Sequence, residues 1–242
     1  MKAKRTTIQH LTIKTLGEPT PNRENSVLVV GNAYGVMPYQ DGVACSLAQN
    51  GFPASWFAFS GQNGTSGRYS RVSAVRDIAL AVDFLSAQSK SKRISLLAHC
   101  AGSLMALEYL RTHPSNPVHE IIVYGLLYKA SRRQRLAQGL FKKMGTEEAL
   151  TQDDWEYDPI PAIKHCEIPI LFCHPTDKLN LMRCTRDEMM HVQDSGNHVE
   201  LTWFGDGYDN DMISLPDFVN VYVDWLSRKQ ERAKVTIPGS QQ

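Results

Sequence analysis

The run Ile94-Ser95-Leu96-Leu97-Ala98-His99-Cys100-Ala101-Gly102-Ser103-Leu104-Met105-Ala106-Leu107 changes its hydrophobic character at a single residue. Before Cys100 it is a short apolar stretch of the kind that forms a buried strand; after it the pattern is that of a helix. A strand that becomes a helix within one residue holds that residue in a strained backbone conformation, so the residues two before and two after must be small. They are Ala98 and Gly102. The pattern predicts a strand over 93–98, a sharp turn at Cys100 and a helix over 101–113, a unit at home in an α/β protein.

The rest of the chain repeats that alternation, which predicts strand-helix-strand units and a mostly parallel sheet with helices on both faces. Residues 6–15 alternate like one exposed strand, and 26–30 form a short β-branched run. Residues 41–50 read as a helix closed by Asn50-Gly51, and 54–59 as the next strand. A glycine-rich loop over 60–67 leads to a helix over 72–87, with Val75, Ile78, Ala79, Val82 and Leu85 on one stripe. Further strands fall at 120–127, 168–174 and 199–204, with helices at 179–191 and 215–229. Basic, acidic and aromatic clusters over 128–164 break the pattern and suggest a lid insertion. The reading is one domain over 1–229 followed by a polar, disordered tail over 230–242.

Composition narrows the classes. A chain of 242 residues that is 42% hydrophobic can bury a core of its own, and a net charge of +1 gives no basic field for nucleic acid or an anionic membrane. The basic N-terminus is not followed by an apolar stretch of signal-peptide length, and no segment reads as a membrane span. Five scattered cysteines, Cys45, Cys100, Cys166, Cys173 and Cys184, suit a reducing cytoplasm. A zinc site among His165, Cys166, Cys173, His174 and Cys184 is disfavoured, because Cys173 and His174 are consecutive in a strand and no C-x-x-C knuckle is present. No cofactor is expected.

Ala98-His99-Cys100-Ala101-Gly102 matches the nucleophile elbow G-x-S-x-G with Ala for the first Gly and Cys for Ser, and 60–67 looks like a loosened R-G-x-G-x-S loop. With the order of elements, this resembles the α/β-hydrolase superfamily along nearly the whole chain. The compact lid and the loop Val29-Val30-Gly31-Asn32-Ala33-Tyr34-Gly35 look most like small acyltransferases and thioesterases of the luciferase-operon type.

The resemblance implies that Cys100 is the nucleophile, its thiol acidified by the start of a helix. Asp177, in the Pro175-Thr176-Asp177 turn, takes the place of the acid. The oxyanion hole would use the backbone N–H of Ala101 and that of Ala33 or Tyr34. The usual catalytic histidine follows the last strand, but there Gly205-Asp206-Gly207-Tyr208-Asp209 offers Tyr208, and a phenol is a poor base at neutral pH. His174, at the end of the strand leading to Asp177, is the best substitute in the chain, whereas His99 reads as packed or as support for the oxyanion loop. His191 and His198 precede the last strand and belong at the opposite end.

Three functions stay open. One is acyl transfer through a Cys100 thioester, from an acyl thioester carried on an acyl carrier protein or coenzyme A. The second is a non-catalytic homologue that binds a hydrophobic ligand or a partner protein. The third is a hydrolase with a relocated base such as His174. The cationic segment 131–135 with Lys142 and Lys143 could dock an acidic carrier, although a charge run on a helix is more often a solvated face.

Overall fold

The computed structural model describes residues 3–17, 25–31, 38–88, 93–126, 157–175, 186–196, 198–204 and 216–235. Chain order gives β1 (Lys4–Ile8), β2 (Leu11–Leu16), β3 (Ser26–Val30), α1 (Pro38–Gln49), β4 (Ala54–Phe57), α2 (Arg71–Gln88), β5 (Ile94–His99) and α3 (Ala101–Thr112). Then follow β6 (Val118–Tyr124), α4 (Ile160–His165), β7 (Ile170–Pro175), α5 (Arg186–Gln193), β8 (Val199–Phe204) and α6 (Pro216–Val235). The strands form one sheet in the order β1-β2-β4-β3-β5-β6-β7-β8. Only the pairings of β2, with β1 and with β4, are antiparallel; from β4 to β8 every neighbour is parallel. β5 lies inside the sheet and is buried along its whole length, as its unbroken apolar run requires.

Both faces of the sheet are covered. One core joins Leu28, Leu96, Ala98, Ile121, Val123 and Phe172 to α2, α3, α4 and α5; the other joins Val29, Leu97, Ile122, Tyr124 and Cys173 to α1 and α6. The strict alternation of these residues along β5 and β6 is the period-2 pattern of strands buried on two sides.

Four sequence expectations need correction. The single strand over 6–15 is a hairpin, with Gln9 at φ 52 in its turn. Ile8 and Leu11 are three residues apart, which breaks a period of two and marks the turn. The buried stripe of α2 includes Ala74, Asp77 and Ala81 beside Ile78, Val82 and Leu85, while Val75 and Ala79 are only partly buried. α4 lies inside the expected lid range 128–164, yet Ile160 and Ile163 pack in the core, so the end of the insertion belongs to the body. α6 continues through 230–235, where a disordered tail was expected.

β5 and β6 are out of step at one point. Ile94 pairs with Val118 and Ser95 with Glu120, so His119 is the extra residue of a β-bulge. His119 and Glu120 thereby turn to one side. Glu120 Oε1 accepts a hydrogen bond from Ser95 Oγ at 2.7 Å and lies 3.0 Å from His119 Nε2, at the end of the sheet remote from Cys100.

Candidate active site

Cys100 stands between β5 and α3 with φ 54 and ψ −122. Gln9 and Asn63 are the other described non-glycine residues with positive φ, and both lie in turns. The Cys100 conformation costs on the order of 1–3 kcal/mol and persists because its surroundings impose it. Its N–H donates to the Tyr124 carbonyl of β6 at 3.0 Å, and its carbonyl accepts from the Ser103 N–H at 3.0 Å. Gly102 fixes the other side: a Cβ there would fall on the Gly31 carbonyl oxygen, at the end of β3. This is the physical reason for the small residue two after the turn.

The side chain of Cys100 lies at the mouth of the helix, in a residue 9% exposed, with no side-chain capping bond. Ala101 is the first residue of α3 and is fully buried; N–H groups of a first helical turn have no acceptor within the helix. Such a donor can meet a negatively charged oxygen held beside it. Asp177, Tyr208, Ala33 and Tyr34 lie outside the described residues, as does the cationic segment 131–143. The strands before them, β3, β7 and β8, run parallel to β5 and end on the same edge as Cys100.

His174 is described and buried. Register aligns His99 with Tyr124 and Tyr124 with Cys173, so His174, one residue on, stands level with Cys100 two strands away. That is about 10 Å between backbones at ordinary strand spacing. Its ring meets Trp203 edge-on at 5.5 Å, on the face that carries α3, α4 and α5. Cys173 points to the opposite face, into the core of α1 and α6, where burial pushes its thiol far up from the usual range. His99 is packed as expected: its ring stacks on Tyr124 at 5.3 Å, and Tyr124 meets Phe218 of α6 edge-on at 5.1 Å. The carbonyl of His198 accepts from the Ile170 N–H at the start of β7, which puts His198 on the far edge.

Two polar clusters escaped the sequence reading. Fully buried Asp77 of α2 accepts from the Ser60 N–H at 2.7 Å and from Ser60 Oγ at 3.0 Å, and lies 2.8 Å from His10 Nε2 in the β1–β2 hairpin. Two segments, the Ser60 loop and the hairpin, are thus tied to a carboxylate of α2. An aspartate on an otherwise apolar helical stripe is the signal that could have found it. In the second cluster, Glu108 of α3 accepts two bonds from Arg111, at 2.8 and 2.7 Å, and one from the Tyr157 hydroxyl at 2.9 Å. Arg111, aided by Tyr157, holds the Glu108 carboxyl below its ordinary range despite partial burial.

No protein-family model matches the sequence, and no curated protein does. Solved structures do. An α/β hydrolase enzyme from the metagenome of sediments from the lagoon of Mar Chica, Morocco, superposes with a TM-score of 0.70 at 14% identity, over 93% of this chain and 99% of its own. The thioesterase domain from the curacin biosynthetic pathway gives 0.62 at 14% identity, covering 94% and 99%. A monoacylglycerol lipase from Paleococcus ferrophilus gives 0.65 at 15% identity, again covering 94% and 99%. With the strand order, the direction of each pairing and the backbone at Cys100, these matches establish that the chain has the α/β-hydrolase fold.

Proposed function

We propose that this protein is a hydrolase-like acyl-transfer enzyme that works through a thioester on Cys100. The observation that carries the reading is the backbone at Cys100, whose φ of 54 and ψ of −122 form a turn that is costly to hold. Similar structures that include a thioesterase domain and a lipase support acyl chemistry as the class. In the step envisaged, Cys100 Sγ attacks the carbonyl carbon of an acyl thioester, and the oxyanion meets the Ala101 N–H. The bond to the donor sulfur breaks, and the proton from the Cys100 thiol leaves with the donor thiol. One thioester replaces another, so the exchange is nearly balanced in energy and needs less help from a base than hydrolysis does. The acyl group then passes to an amine, thiol or carbon nucleophile, with Asp177 and Tyr208 as further candidates for the site.

Incubation with an acyl thioester on coenzyme A or a carrier protein, followed by intact mass, should reveal one added acyl group that is lost in Cys100→Ala. Absence of the adduct from the native protein overturns the reading. A second reading, hydrolysis with His174 as the base, is favoured by the level of His174 relative to Cys100. It predicts that His174→Ala lowers esterase turnover on the order of 10²-fold while Tyr208→Phe leaves it unchanged. Equal turnover in all three proteins would remove it.

A further inference from the structure

Beside the β1–β2 hairpin a cleft of about 280 Å³ is lined by residues that include His10, Thr12, Lys14, Trp56, Asn63 and Thr65. We propose that it binds a phosphate ester. Trp56, 2% exposed, forms an apolar wall, and the Lys14 ammonium sits 5.5 Å from its ring centroid. The indole N–H of Trp56 is buried with no acceptor among the described residues. Thr12, whose hydroxyl lies 3.3 Å from that of Thr7, lines the cleft together with Thr65, Asn63 and His10.

The charges facing the cleft favour an anion. Asp41 of α1 lies 3.9 Å from Lys14 Nζ, and its side chain is 58% exposed, a pairing too loose to satisfy the three donors of an ammonium. The other nearby carboxylate, Asp77, is turned inward and engaged. Ser60 Oγ gives its single proton to Asp77 and so accepts from His10 Nε2, which must carry the proton on that side. Asp77 therefore ends as a shielded acceptor, and Lys14 supplies the unspent charge. A tetrahedral phosphate spreads its oxygens in three dimensions, so it can meet the Lys14 ammonium from one side and polar groups of Asn63 and Thr65 from others, where a planar carboxylate presents its acceptors in one plane. The volume is at the small end of ligand pockets, which suits one group of a longer molecule.

Position suggests which molecule. β4 and β5 are separated by β3 alone, so the C-terminal end of β4 stands about 10 Å from that of β5, where Cys100 sits. A phosphate held here belongs to a phosphopantetheine arm that presents its thioester to Cys100. This link rests on the acyl-transfer reading, whereas the anion site does not.

Titration calorimetry on the full chain carrying Cys100→Ala, which cannot be acylated at that residue, separates the two. Phosphopantetheine should bind at least tenfold more tightly than pantetheine. Lys14→Met should erase that difference, Thr65→Val should reduce it, and Asp41→Asn should tighten binding by freeing Lys14. The gain with Asp41→Asn guards against a mere folding defect in the other variants. Inorganic phosphate that binds with the same Lys14 dependence, without any gain from the arm, supports the anion site with free phosphate as its source. Equal affinity for phosphopantetheine and pantetheine, or a preference for phosphate that survives Lys14→Met, overturns the proposal. If native protein forms no adduct while the Lys14-dependent binding persists, the acyl-transfer reading fails and the cleft stands.

Discussion

At Cys100 the backbone strain and the proposed chemistry can be separated by substitution. Ala keeps the penalty of a side chain at positive φ, while Gly does not, so Cys100→Gly should be more stable than Cys100→Ala by about 1 kcal/mol. In a chain of this length that is about 3 °C in melting temperature by calorimetry. The reverse order would mean that the turn is unstrained. Thiol labelling gives a second check: near neutral pH a small alkylating agent should modify Cys100 in the folded protein and spare Cys173, whose deeply buried thiol is held protonated. Peptide mass mapping reads both sites at once. The elbow was legible in the sequence because its marks are adjacent in the chain: the switch from strand to helix at Cys100 and the small Ala98 and Gly102 on either side of it. That Gly102 rests on the Gly31 carbonyl was not legible, since the contact joins positions far apart in the chain.

Among the elements, most strands and helices followed from period alone, and the misreadings of α2 and α4 come from polar residues whose partners are distant. Asp77 broke the apolar stripe of α2 because its partners are Ser60 and His10. Asp77→Ala should therefore cost about 2–4 kcal/mol, through the Ser60 and His10 donors left without their acceptor, and should speed hydrogen exchange in the hairpin around residues 9–12. Unchanged exchange there would show that the hairpin is held by its strand pairing alone. α4 was assigned to the lid because neighbouring clusters are polar, yet it packs on α3 close to the Tyr157–Glu108 bond. The Glu108 carboxyl titrates lower in the folded chain than in the unfolded one, so its contribution is present above the ordinary carboxylate pKa, about 4.3, and is lost as pH falls through the folded value. Denaturation of Glu108→Gln against the native protein should show a deficit at pH 7 that closes in acid. A deficit that stays constant with pH would assign the effect to packing instead.

On the scale of the molecule, the parallel strands bring β3, β5, β7 and β8 to one edge, and that arrangement was readable from the alternation of strands and helices. The site on that edge was only partly readable, because a base is defined by what it can reach and not by its neighbours in sequence; His174 reaches the level of Cys100 only through two strand registers. The bulge at His119 has a consequence for how such a chain can change its length. With His119 removed, Val118, Glu120 and Ile121 would alternate between the two faces as an unbroken strand does, and the pairing from Ser95 and Glu120 up to His99 and Tyr124 would keep its register. A deletion within 121–124 would instead turn the residues before it to the wrong side or draw the chain away from Cys100. Position 119 is thus a slack link, a place near the base of the sheet where evolution or design can take out a residue while the edge that carries Cys100 stays in place.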